Sequence, residues 1–117
     1  MNAEPVIDAL TFAELKTTVG ADFIGELIDA YLDDTPRLLN ELAESLAQQD
    51  ATKFSRMAHS IKSSSASLGA LFFSAQAKEL EMIGKQGDLA GVQPKVEHLK
   101  MNYVQVQQKL RELKDES

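Results

Sequence analysis

Apolar residues return every three or four positions along almost the whole chain. No stretch alternates strictly between apolar and polar residues with β-branched enrichment, so the pattern predicts helices and no strands. Thr11-Phe12-Ala13-Glu14 reads as a capping box that opens a short helix ending at Gly20. Asp22 is the expected cap of the next helix, whose apolar face is Phe23, Leu27, Ile28 and Tyr31. At Pro36 two readings stay open: Thr35 caps a new helix with Pro36 in its first turn, or one long helix kinks there. Leu38, Leu39, Leu42, Ala43 and Leu46 carry the apolar face on to about Gln49. Asp50 is the next cap, and Phe54, Met57, Ala58, Ile61, Ser65 and Leu68 define a helix over 51–68. Gly69 marks a helix end or a close approach. A further helix is predicted over 71–85, ending at Gly84 or Gly87. The last begins at Asp88 or, given Pro94, near Val92, and its stripe is Val92, Val96, Leu99, Tyr103, Val106, Leu110 and Leu113. Steps of four and three of this kind suit packing at a shallow crossing angle. Short connections make neighbours antiparallel, so the expected fold is all-α: an up-and-down antiparallel four-helix bundle with a short extra N-terminal helix.

Composition narrows the function classes. With 117 residues the chain is read as a single domain spanning 1–117. Its net charge of −6 argues against a sequence-independent nucleic-acid binder, which needs a basic footprint. The absence of cysteine removes disulfides, thiolate metal sites and cysteine nucleophiles, and fits a reducing compartment. The longest apolar run, about 68–73, is far short of the roughly 20 residues that span a bilayer. Met1-Asn2-Ala3-Glu4-Pro5 has neither a basic start nor an apolar signal core, so a cytoplasmic location is expected.

Two histidines are present, His59 and His98. At about 100° per residue, His59 falls roughly 150° from the centre of its helix's apolar set, and so is predicted to face solvent. Its neighbours on that face are Ser55, Lys62, Ser63 and Ala66, a small and nearly uncharged surface where a soluble helix usually carries Glu and Lys. An imidazole standing clear of small side chains can be approached by a second protein. From 51 to 78 there is no Asp or Glu, while Lys53, Arg56, Lys62 and Lys78 give a balance of +4; the rest of the chain, with 8 basic and 18 acidic residues, stands at −10. A locally acid-free segment suits a site that receives negative charge. A phosphoryl group on His59 would bring that charge, and Lys62, one turn away, would help to neutralise it. Imidazole is a competent nucleophile near neutral pH.

These residues carry a family likeness. The run His59-Ser60-Ile61-Lys62-Ser63-Ser64-Ser65-Ala66-Ser67-Leu68-Gly69-Ala70 resembles the signature of histidine-containing phosphotransfer (HPt) domains, roughly His-x-Leu-Lys-Gly-Ser-Ala followed by an apolar residue and Gly. The likeness covers most of 6–113. It implies that His59 is the phosphoacceptor, attached through Nε2, with Lys62 in support. It also implies that the bundle presents His59 to the aspartate pocket of a receiver domain, which carries the magnesium, so that no cofactor belongs to this chain. Partners are then receiver domains of response regulators or hybrid sensor kinases, and the chain is expected to be a monomer. Ser63 stands where the family usually has Gly, on the side facing the partner.

Other residues receive plainer readings. Ser63 and Ala66, with Ser55 beside them, are expected on the docking face; Arg56 either steers the partner or is simply solvated. Ser64 and Ser65 serve helix packing and local hydrogen bonds, and Gly69 permits a turn or a close approach. His98 reads as surface. Glu79 and Glu81 read as solvated helix charges, and no carboxylate is spaced along the sequence to join His59. The Asp33-Asp34 pair is read in the same way. Three functions compete: a phosphorelay intermediate on His59; the histidine-bearing hairpin of a sensor kinase; and an interaction module that has kept the fold but lost phosphotransfer. The hairpin is disfavoured because Ser60 follows the histidine where an acid is usual, and because no Gly-rich phosphate loop occurs. Retention of both His59 and Lys62 argues against the third.

Overall fold

In a computed structural model, which describes residues 5–116, the chain forms α1 (Ala9–Val19), α2 (Ala21–Ala47), α3 (Ala51–Ser67), α4 (Leu71–Gln86) and α5 (Gln93–Asp115). No strand occurs among the described residues. Helix α3 packs on α2 and α4, and α5 closes the ring by packing on the same two; α1 lies against α2 and α3. The connections 48–50 and 68–70 hold three residues each, too few for anything but antiparallel neighbours. This is the up-and-down bundle with a short leading helix that the apolar pattern predicts.

Helix ends follow local chemistry, with two departures from expectation. Asp8, not Thr11, caps α1: its carboxylate accepts from the Thr11 amide at 3.0 Å and from the Thr11 hydroxyl at 2.6 Å. Asp8 already has the extended backbone a cap requires, which leaves Thr11 inside the first turn. Asp22 likewise lies within the first turn of α2, where it favours the positive helix end, while the cap itself is Gly20. Asp50 caps α3 as expected, accepting from the Lys53 amide at 3.0 Å.

Helix α2 runs unbroken through Pro36. A proline in a helix interior costs about 3 kcal/mol. The buried stripe Ile24, Ile28, Tyr31, Thr35, Leu39, Leu42 and Leu46 continues on both sides of it, and burial of that stripe outweighs the local cost. The stripe keeps Ile28 and Tyr31 of the expected face but is turned slightly, so that Ile24 is fully buried and Phe23 is half exposed. Thr35, read from sequence as a possible cap, is a fully buried member of it.

The remaining core is formed by Phe54, Ala58 and Ile61 of α3, Phe73, Ala77 and Leu80 of α4, and Val96, Leu99, Tyr103, Val106 and Leu110 of α5. The Tyr103 ring lies 6.2 Å from Tyr31 and 5.9 Å from Phe73, between centroids. The Tyr31 hydroxyl and Ser65 Oγ share a buried hydrogen bond of 2.7 Å, tying α2 to the last turn of α3.

Gly69 serves both roles that were open for it. With φ of +92° it ends α3 in a conformation that L side chains avoid, and its carbonyl accepts from the Asp8 amide at 2.7 Å. A Cβ there would meet the Asp8 carbonyl oxygen at 3.0 Å. Gly69→Ala is therefore expected to destabilise the fold by about 1–3 kcal/mol, seen as a lowered midpoint in chemical denaturation.

Candidate functional site

Ala58 and Ile61 anchor α3 in the core, and this turns the intervening His59 outward. Its side chain is 56% exposed. Across the α3–α4 contact lies Glu81, whose side chain is only 5% exposed. Glu81 Oε2 is 2.8 Å from His59 Nδ1, and Oε1 accepts from Lys62 Nζ at 2.8 Å. Lys85 Nζ approaches Oε2 at 3.4 Å from one turn further along α4.

The expectation that Glu81 is a solvated charge and that no carboxylate joins His59 is thus corrected. On α4, Glu81 stands four residues after Ala77 and three before Gly84, within the buried stripe that faces α3. A carboxylate in that stripe needs charged partners, and Lys62 and His59 meet it from the opposite helix. That placement within a stripe of small residues was the one signal in the sequence that could have identified it.

The pair settles the chemistry of the ring. An ionised carboxylate only accepts hydrogen bonds, so Nδ1 must carry the proton that Glu81 receives. In the neutral imidazole Nε2 is then the nitrogen with the free lone pair. Glu81 stays ionised across the range in which such a site works: the Lys62 ammonium, chiefly, holds its pKa down to about 2, burial opposes this, and His59 and Lys85 add to the lowering. A carboxyl group with a lowered pKa stabilises the folded state above its unfolded value of about 4.5, and this stabilisation is lost as pH falls toward 2. Glu81→Gln should therefore flatten the part of the acid-denaturation profile between those values, measured as stability against pH beside the parent.

The other predicted residues separate into two groups. Arg56 and Ser63 are exposed and Ala66 is half-buried. The Ser64 and Ser67 hydroxyls fold back on the carbonyls of Ser60 and Ser63, at 3.0 and 3.1 Å, so this face offers small and uncharged groups. Ser55 does not belong to the face: it is 8% exposed, and its hydroxyl donates to the Glu81 carbonyl at 3.2 Å. The rotation that places Ser55 one turn before His59 also brings it under α4. Lys62 is held against Glu81 with its side chain 27% exposed, rather than projecting freely into solvent.

Two depressions lie along α3. One, lined by Lys53, Arg56, His59 and Lys85, is cationic apart from Glu41 and Glu81. The other, between α1, α2 and α3, is lined by Leu15, Leu27, Leu38, Ser60 and Ser64. His98 lies exposed on α5, beside the Lys95–Glu79 ion pair. Among the described residues, no group of three or more His, Cys, Asp or Glu could hold a metal ion, and no helix is long and apolar enough to cross a membrane.

Known proteins share this fold. The family model for the Hpt domain matches residues 26–115. Histidine-containing phosphotransfer protein 1 of Arabidopsis thaliana is 34% identical over 71 residues, which cover 57% of this chain and 46% of that protein; the match thus spans about half the length of the plant relative. The crystal structure of histidine-containing phosphotransfer protein B from Pseudomonas aeruginosa PAO1 superposes with a TM-score of 0.91 at 25% identity, covering 98% of this chain and 99% of that one. The X-ray structure of a rice protein shares the fold, with a TM-score of 0.80 at 22% identity over 91% of this chain and 79% of its own. With a family match over most of its length, the chain belongs to the Hpt-domain family.

Proposed function

We propose that the chain is a phosphorelay intermediate: His59 accepts a phosphoryl group from the aspartyl phosphate of one receiver domain and passes it to the aspartate of another. The observation that carries this reading is the Nδ1–Glu81 hydrogen bond, which leaves Nε2 as the nucleophile on an exposed face. The Nε2 lone pair attacks phosphorus, the bond from phosphorus to the aspartyl oxygen breaks, and that electron pair returns to the carboxylate. No proton has to leave the ring. Positive charge grows on the imidazole as the N–P bond forms, and the Glu81 carboxylate, 2.8 Å from Nδ1, stabilises it. The reverse step uses the same groups, so transfer runs in both directions.

The rest of the reading concerns what the partner brings. The magnesium ion that supports phosphoryl transfer belongs to the receiver, and this chain acts without a nucleotide site or kinase activity of its own. A receiver would dock over His59, Ser63 and Ala66, with Arg56 in its rim and the neighbouring leucine-lined groove extending the contact. The chain works as a monomer, in keeping with burial of the α5 stripe inside its own bundle, and in the cytoplasm, in keeping with a cysteine-free sequence. The test is incubation with phosphorylated receivers and magnesium. Acquisition of an acid-labile label, with none gained from ATP alone, is the expected result. A protein that binds receivers but never acquires label would instead be an interaction module on the same fold.

A further inference from the structure

The α3–α4 crossing contains one contact closer than any side chain allows. A Cβ on Gly84 would lie 2.9 Å from both Cβ and the amide nitrogen of Ser55, and 3.0 Å from its Cα. Two of these three atoms are backbone, so no rotamer change could make room. In the same place the Ser55 hydroxyl donates to the Glu81 carbonyl at 3.2 Å. The spacing along both helices is informative. Ser55 stands one turn before His59 on α3, and Gly84 stands one turn after Glu81 on α4. Because the helices run antiparallel, the tight contact between Ser55 and Gly84 lies directly next to the hydrogen bond between His59 and Glu81.

We propose that the Ser55–Gly84 crossing is a positioning device for the phosphoacceptor: the bare backbone of Gly84 and the hydroxyl of Ser55 hold Glu81 within reach of His59 Nδ1. Gly84 and Ser55 touch neither the ring nor the phosphoryl group and act through Glu81. The proposal rests on the reading of His59 as phosphoacceptor for its effect on transfer, but not for its effect on the ring. A glycine in a helix interior is less stable than alanine, so Gly84→Ala at a merely exposed position would stabilise the protein. Here the added methyl must push α4 away from α3, and a shift of a few tenths of an ångström is enough to lengthen a 2.8 Å hydrogen bond.

The experiment compares Gly84→Ala and Ser55→Ala with the parent. Proton–nitrogen correlation spectra of the isotope-labelled proteins, taken without any partner, report which ring nitrogen of His59 carries the proton. The parent should show Nδ1 protonated and Nε2 free. Gly84→Ala, with helical content retained, should show a mixture of tautomers and transfer about tenfold slower. Ser55→Ala adds no atoms and serves where Gly84→Ala fails to fold; it should show a smaller shift toward the mixture and transfer about threefold slower. Either variant, folded and matching the parent in ring signature and transfer rate, overturns the proposal. If the parent accepts no phosphoryl group, the functional reading fails, while the ring spectra still decide the positioning role.

Discussion

Replacing His59 with glutamine is expected to abolish all acid-labile labelling from a phosphorylated receiver, while leaving the fold intact. The side chain is more than half exposed, and its only described polar tie is the hydrogen bond from Nδ1 to Glu81. A glutamine amide can donate to the same carboxylate, so the stability change should stay within about 1 kcal/mol. There is no cysteine, and the other histidine, His98, sits on α5 beside Glu97 and the Lys95–Glu79 pair, without the small uncharged face that surrounds His59. Labelling assays before and after acid treatment, with circular dichroism as the folding control, measure both halves of this expectation. Retained acid-labile label on the folded variant would remove His59 from the role.

Glu81→Ala is expected to slow transfer by about 10–100-fold, the range seen when the hydrogen-bond partner that orients a metal-ligating histidine is removed. Two effects combine. The ring loses the acceptor that keeps the proton on Nδ1, so the fraction with Nε2 free falls. The charge that offsets the growing positive ring disappears as well. Lys62 is then left without its carboxylate, but at 27% exposure it can turn toward water, so the stability loss should be about 1–3 kcal/mol rather than that of a sealed, unpaired charge. Glu81→Gln separates the two effects. Its amide oxygen can still accept from Nδ1 and keep the tautomer, yet it cannot neutralise the ring or hold both lysines. A loss smaller than in Glu81→Ala is the expected ordering in single-turnover rates. Equal losses in the two variants would assign the whole effect to charge.

Much of this architecture could be read before any coordinates. The α5 stripe from Val92 to Leu110 is buried as its spacing requires, and the outward rotation of His59 follows from the core positions on either side of it. The rest depended on information that periodicity does not contain. Whether Pro36 breaks a helix is decided by what its two flanks bury against α3 and α5, not by the proline. The choice between Phe23 and Ile24 at the edge of the face turns on a rotation of well under one residue, smaller than a pattern of four apolar positions can define. Glu81 shows the limit most clearly. A search for acids around His59 along the sequence meets an acid-free segment from 51 to 78, which stops just short of the glutamate that matters. The contact forms across 22 residues and one helical turn-back, and only the pairing of α3 with α4 brings it about. The same pairing moves Ser55 from a supposed docking face into the crossing itself.

The decisive point is which nitrogen of His59 reacts. The direct measurement is the position of the phosphoryl group in protein labelled by a receiver, read from the phosphorus and ring-nitrogen resonances of the phosphohistidine. With Nδ1 committed to Glu81, phosphorus is expected on Nε2 of His59. Phosphorus on Nδ1, or on any residue other than His59, would contradict it.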